Sequence, residues 1–418
     1  MKRILYGISG IGNGHSNREM PIIEELAKDC QIMIFAHDDS LRVMTNRFGN
    51  NPNVTIVPVG LTFIVGSPTG LNFEATAKSA MNQNIKPFKT SFEALDKVIT
   101  KWGKADLVIT DYEPISAQYA YAYDVPLVTI DQQSKFLYGD LPSKLGGFTY
   151  TDEVARLSMF FPKVSKRIAC SFFKVSPREG AAEVMLVPPT IKQSIIDLAE
   201  KRKVEGNKVN ILLYVSPVKE FTQTPREIVD CLKQNDKAIF HLFVPKSDFE
   251  EYNKLRSENI NIYPHGDPNF LKVMAIANGI ISSAGHSLLS EAMFLSIPVY
   301  AIPVEPYEQH LNAWEIGNNG FGVSAQNLNN IDLEVFLNNL DIYTKNIKED
   351  TRILNRGIGQ EIMIDYLRKN FLTDKKKVLV FSPPFDGHLN IIKEFIKDNN
   401  KYFDFQIVIT GWYFWWCA

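Results

Sequence analysis

Short apolar runs alternate with amphipathic stretches along most of this chain. Residues 4–8 are almost wholly apolar; after the glycine-spaced polar stretch SGIGNGHSN, residues 21–28 place Ile22, Ile23 and Leu26 at helical spacing before a second apolar run at 31–36. Apolar runs without polar alternation predict strands buried on both faces, and helical spacing between them predicts βαβ crossovers. The pattern continues with a polar helix over 90–102, a strand over 107–110 ending at Asp111, a helix to residue 122 and a strand over 127–130. Apolar pieces at 156–161 and 168–173 lead to LVPPT, where Pro188 and Pro189 predict a stiff interdomain crossing. A second series follows: strand 209–215 running into SPVK, helix 225–232, strand 238–244, strand 260–263, then the unit IISSAGHSLLSEAMFLSIPVYAIPVEPYEQHLNA at 280–313. A polar helical region, 328–367, predicts a return path. Alternating strands and helices in both halves predict an α/β protein of two Rossmann-like domains facing a cleft.

Length agrees with that division, since 418 residues exceed what one core comfortably organises. Apolar residues at 45%, charged residues at 22% and a net charge of −2 describe a soluble globular chain with no bias toward nucleic acid or anionic membrane. The four cysteines, Cys30, Cys170, Cys231 and Cys417, lack ligand spacing and fit a reducing compartment. The opening MKRILYGISGIG has the basic start of a secretory signal, but its apolar run is short and broken by glycine, so it reads as a first strand. No run reaches membrane-spanning length. The cytoplasm is the expected location, with peripheral membrane contact left open.

Candidate chemistry lies where strands end. In 280–313 a strand runs into the small-residue turn Ser282, Ser283, Ala284, Gly285 and then a helix carrying Glu291, followed by strand 299–302 and a loop that opens another helix near Glu308 and Gln309. First-turn N–H groups of such a helix lack intrahelical partners and can hold an anion, with Ser287 able to cap or donate. Glu291, one turn below, can accept from two vicinal ribose hydroxyls; the plainer reading is an ordinary crossover with a surface glutamate. Near the start, Gly10, Gly12 and Gly14 suggest a dinucleotide fingerprint, with Asp38 and Asp39 near the ribose-acid position, but His15 stands where the third glycine belongs. A histidine at that sheet edge is either a loop or capping residue or a general base. Asp111, on the same edge, can orient an imidazole or act as a helix N-cap ahead of Glu113 and Pro114.

The pieces LYGISGIGNGH, DLVITDYEPISA, GHSLLSEA and EQHLNA, spread over residues 1–367, resemble the GT-B glycosyltransferases. They are similar to the peptidoglycan GlcNAc-transferase and UDP-glycosyltransferase families, and in particular to bacterial and archaeal glycosyltransferases with GxGxGH and LVITDxEP motifs. The resemblance implies a first, acceptor-side domain at 1–187, a nucleotide-sugar domain at 191–345 and return helices at 346–372 packing toward the first domain. It implies His15 as base with Asp111 as its paired acid, and Glu291 on ribose. Glu308 and Gln309 would lie on the donor sugar. Ser283 replaces the phosphate-binding histidine of the plant enzymes, so diphosphate would rest on the N–H groups of Gly285, His286 and Ser287. Their stacking tryptophan is absent, with Tyr263 or His265 left at the nucleobase region.

No D-x-D occurs, and the E-x7-E of retaining relatives is missing, because Ser283 and Val299 flank Glu291 at eight residues. The expectation is metal-free, inverting transfer with no cofactor, the nucleotide-sugar, UDP-linked by expectation, being a co-substrate. A 2-epimerase of the same fold and a catalytically silent nucleotide-sugar-binding module are the alternatives. The acceptor is an unidentified hydroxyl on a lipid-linked, saccharide or small molecule, with residues 61–84 and 132–150 lining its side.

From residue 375 the pattern begins again: KKKVLVFSPPFDGHLNIIKEFIKDN aligns His388 with His15, and residues 406–410 with the second strand. This partial repeat, 375–418, ends in GWYFWWCA and resembles the opening of a second glycosyltransferase domain. A strand, helix and strand cannot bury their apolar faces alone, so the expectation is docking on the main body, a dimer, or partial exposure.

Overall fold

The computed structural model describes residues 1–10, 12–60, 66–67, 70–71, 73–78, 85–202, 208–215, 223–304, 307–350, 357–373, 376–383, 385–399 and 403–409. Most of the 61–84 stretch, SPVK at 216–219 and the GWYFWWCA ending lie outside them. The chain divides into two units, Met1–Asp365 and Tyr366–Ala418.

In the first unit the apolar runs are strands. They are β1 (Lys2–Ile8), β2 (Cys30–Ala36), β3 (Val54–Pro58), the short antiparallel pair β4 (Gly66–Ser67) and β5 (Gly70–Leu71), β6 (Leu107–Asp111), β7 (Leu127–Asp131), β8 (Lys166–Cys170) and β9 (Met185–Val187). Leaving out the β4–β5 pair, they form one parallel sheet in the order β3-β2-β1-β6-β7-β8-β9. Ile4, Leu5, Tyr6 and Ile8 are fully buried, as a strand covered by helices on both faces requires. A second parallel sheet follows from β10 (Val209–Tyr214), β11 (Ala238–Val244), β12 (Ile260–Pro264), β13 (Gly279–Ser283), β14 (Val299–Ile302) and β15 (Gly322–Ser324), in the order β12-β11-β10-β13-β14-β15. In both sheets the order reverses beside the first strand, at β1/β6 and at β10/β13. Ligands of open α/β sheets bind outside the carboxyl ends at such a switch.

Two local readings are corrected. The first helix begins at Gly14, not at Pro21, and runs to Leu26 with Pro21 inside it. Proline is a favoured first helical residue, but here burial of Ser16, Arg18 and Glu19 extends the helix about two turns upstream. His15 therefore sits in a helix's first turn rather than in a loop. The Pro114–Tyr123 helix, in turn, is capped by Glu113 and not by Asp111: the Glu113 carboxylate accepts from the N–H groups of Ile115 (2.8 Å) and Ser116 (2.7 Å). That leaves the Asp111 side chain for other contacts.

Past the double proline, the Gln360 amide bonds both backbone groups of Ile191, and Gly359 N–H donates to Pro189 at 3.0 Å. The helices Leu340–Glu349 and Gly359–Asn370 lie in the region read as the return path. In the second unit β16 (Lys376–Ser382) pairs in parallel with β17 (Phe403–Ile409) around the Asp386–Asn399 helix. Lys376 stands opposite Phe403, 27 residues on, close to the 28 that separate Lys2 from Cys30 across β1 and β2. Among the described residues no helix is long and apolar enough to cross a membrane.

Candidate active site

At the β1/β6 switch, Ile8 stands opposite Asp111 in register. One residue past the start of the Gly14–Leu26 helix, His15 directs Nδ1 at Asp111 Oδ1, 2.9 Å away. A buried carboxylate accepting from Nδ1–H leaves the lone pair on Nε2, the state a general base needs. Asp111 is wholly buried, and burial alone would push its carboxyl up. The Arg18 guanidinium, and then His15, outweigh that and hold it below the usual carboxylate range.

Arg18 was not singled out in the sequence. It lies three residues after His15, on the same helix face, and donates from Nε to Asp111 Oδ2 (3.1 Å) and from Nη2 to both oxygens (2.9 and 2.7 Å). Nη2 also comes within 3.0 Å of His15 Nδ1. Nε lies 3.3 Å from Glu19 Oε1, and Glu19 accepts the Tyr6 hydroxyl. Burial, then the charge of Asp111, pushes the Glu19 carboxyl well up, against the pull of Arg18. A histidine, a carboxylate and a guanidinium thus form one buried network.

The glycines hold the loop in place. Gly10 N–H donates to His37 Nε2 at 3.0 Å, and Gly12 takes φ = 73°, a left-handed conformation that suits glycine. A Cβ on Gly14 would lie 3.7 Å from Ser287 Oγ, so the start of the Gly14–Leu26 helix meets the helix that follows β13.

That helix, His286–Phe294, starts from Gly285 in extended conformation after Ser283 closes β13. Its first N–H groups face the same region. His286 itself is buried, with Nδ1 3.3 Å from the Ser290 hydroxyl; burial first, then Lys135 and Arg18, drives its imidazole well below the usual value. Its side chain is neutral, so any anion here would be met by backbone N–H groups rather than by a histidine charge.

A solvent-open cavity lies at this junction, lined by Arg18 from the first sheet's side, Lys192 from the crossing segment, and Ser287 and Glu291 from the helix. Lys192 Nζ is 3.3 Å from Glu291 Oε1, the only ion pair that Glu291 makes among the described residues. Glu308 and Gln309 occupy the first turn of the Tyr307–Asn318 helix after β14, and Gln309 Oε1 accepts from Val304 N–H at 3.1 Å. Tyr263 and His265 do not line the cavity. Tyr263 stacks on Phe243 (4.9 Å between ring centroids) and His265 on Tyr214 (4.4 Å, planes 3° apart). Burial, and then Glu291, pushes the hydroxyl of Tyr214, at the end of β10, up. No motif marked Arg18, Lys192 or Tyr214; each matters through a partner distant in sequence.

Comparisons with known proteins agree with this architecture. An uncharacterized glycosyltransferase of Methanopyrus kandleri is 32% identical over 89 residues, a stretch covering 17% of this chain and only about a quarter, 26%, of that protein. The crystal structure of MurG from Acinetobacter baumannii superposes with a TM-score of 0.58 over 88% of this chain and 100% of its own, at 15% identity. A UDP-glucose:anthocyanidin 3-O-glucosyltransferase in complex with UDP gives 0.61 over 88% and 99%, at 11% identity. At those identities the two structures speak for the fold, which is GT-B. The model of glycosyl transferase family 1 matches residues 2–341, from β1 through β15 and past it. Because that match runs through both sheets and covers well over half of the chain, the chain belongs to glycosyl transferase family 1.

Proposed function

We propose that this protein is an inverting, metal-independent glycosyltransferase that moves a sugar from a nucleoside diphosphate, UDP in the first instance, to an acceptor hydroxyl. The observation that carries the reading is the 2.9 Å His15–Asp111 bond at the switch point of one sheet, opposite the helix amino terminus at the switch point of the other. The acceptor oxygen attacks the anomeric carbon as its proton passes to His15 Nε2; the bond from that carbon to the diphosphate breaks, and its electron pair leaves on the phosphate oxygen. Asp111 fixes the tautomer and stabilises the imidazolium. The leaving charge falls on the N–H groups of Gly285, His286 and Ser287. Glu291 receives the ribose hydroxyls after parting from Lys192, and Glu308 and Gln309 face the sugar. The UDP in the anthocyanidin glucosyltransferase supports the choice of nucleotide.

Calorimetric titration of UDP, GDP, dTDP and NAD into wild type and Glu291→Ala, in the presence of EDTA, tests the reading. Selective nucleoside-diphosphate binding that the substitution abolishes is the expected result. Binding of NAD alone, binding of nothing, or dependence on added divalent metal would overturn it.

A further inference from the structure

Arg18 is only partly used within its own network. Its Nε and Nη2 are spent on Asp111, while Nη1 makes no hydrogen bond to any described residue and is not among the sealed, unpartnered buried atoms. The side chain is 6% exposed and lines the cavity shared with Ser287, Lys192 and Glu291. A nearly buried guanidinium with one nitrogen left for an open cavity is set to receive an acceptor oxygen there. The nearest feature of the second domain is a helix start that itself favours an anion. An arginine fork with one edge on a carboxylate can present its other edge to phosphate, a geometry lysine lacks.

We infer that Arg18 is a further substrate-binding residue, contributed by the acceptor-side domain, whose Nη1 binds an oxygen of the donor diphosphate while Nε and Nη2 hold Asp111. The inference rests on the proposed donor site.

The test compares UDP, UMP and uridine by calorimetry on wild type, Arg18→Lys, Asp111→Asn, and the double variant Arg18→Met/Asp111→Asn, which removes the buried pair together so that no lone charge threatens folding. Loss of a charge-assisted phosphate contact weakens binding about 10- to 100-fold. Weakening of that order is expected for UDP in the double variant relative to Asp111→Asn, with uridine affinity unchanged and Arg18→Lys in between. Equal UDP affinity in Asp111→Asn and the double variant would overturn the inference. So would a parallel loss of uridine and UDP, the mark of a merely structural role. Failure of wild type to bind UDP, or indifference to Glu291→Ala, instead strikes the donor site itself.

Discussion

Lys135 carries a positive charge into a place where no described residue accepts a hydrogen bond from it. It is fully buried just past β7, its ammonium 5.0 Å from the Phe173 ring and 5.7 Å from the Phe136 ring, with no hydrogen-bond partner among the described residues. Burial pulls its pKa from 10.5 down to about 8, although Glu308 and Glu315 pull the other way; Arg18 lowers it and Cys170 raises it. An unfolded chain holds this proton up to about pH 10 and the folded chain to about 8, so between those values the unfolded state binds more protons and stability rises with pH. Lys135→Met is therefore expected to stabilise the fold, by roughly 3 kcal/mol at pH 7, with the gain shrinking as pH rises from about 8 toward 10. Urea unfolding of both proteins at pH 7 and pH 10 checks this. An equal difference at the two values would mean that the charge is not what the substitution relieves. Residues of this kind are illegible in sequence: Lys135 reads as a surface lysine, and Arg18 as one more polar helix position. Asp111, which decides the role of Arg18, is 93 residues away.

The element that places Asp111 depends on a cap. β6 ends at Asp111, Tyr112 turns with φ = 60°, and Glu113 satisfies two N–H groups of the next helix. Close packing follows, since a Cβ on Gly7 of β1 would lie 2.1 Å from Ser116 Oγ, which leaves the helix no room to shift toward the strand. Glu113→Ala removes both side-chain bonds and should destabilise the protein by about 1–2 kcal/mol, read as a lower urea midpoint with unchanged slope. Its effect on UDP binding should be small, because the Arg18–Asp111 bonds do not pass through Glu113; a large loss of UDP affinity would mean that the cap also holds the proposed binding residues in place. Strands were the legible elements, and Ala238–Val244 and Val299–Ile302 fall where the apolar runs predict them. The ends of helices were not, because caps compete locally. Asp111 and Glu113 are both plausible N-caps two residues apart, and only the pairing of Asp111 with Arg18 decides between them. Pro21 misled for a similar reason, since tertiary burial of Arg18 and Glu19 overrides the local preference of proline for a helix start.

At the scale of the whole chain, every feature of the proposed site falls within Met1–Asp365, and the remainder forms a unit of its own. That remainder pairs β16 with β17 in parallel, as β1 pairs with β2, yet a parallel pair ordinarily lies inside a larger sheet with both faces covered. Here Phe381 (64% exposed), Ile391 (71%) and Ile409 (56%) remain open to solvent, and no residue of the Asp386–Asn399 helix is buried. In the first unit the corresponding strand β1 is flanked by β2 on one edge and β6 on the other, and its apolar residues vanish between helices. The duplicate thus has the pattern of a domain's opening, with apolar side chains left open among the described residues. A chain ending after residue 373 should fold with the same urea midpoint as the full chain for its main transition and bind UDP with the same affinity. It should also associate less with concentration in sedimentation velocity, because exposed apolar surface of this kind drives self-association. Loss of UDP binding on truncation would assign the duplicate a part in the donor site. Unchanged self-association would mean that its apolar residues are covered in solution by something other than a second copy.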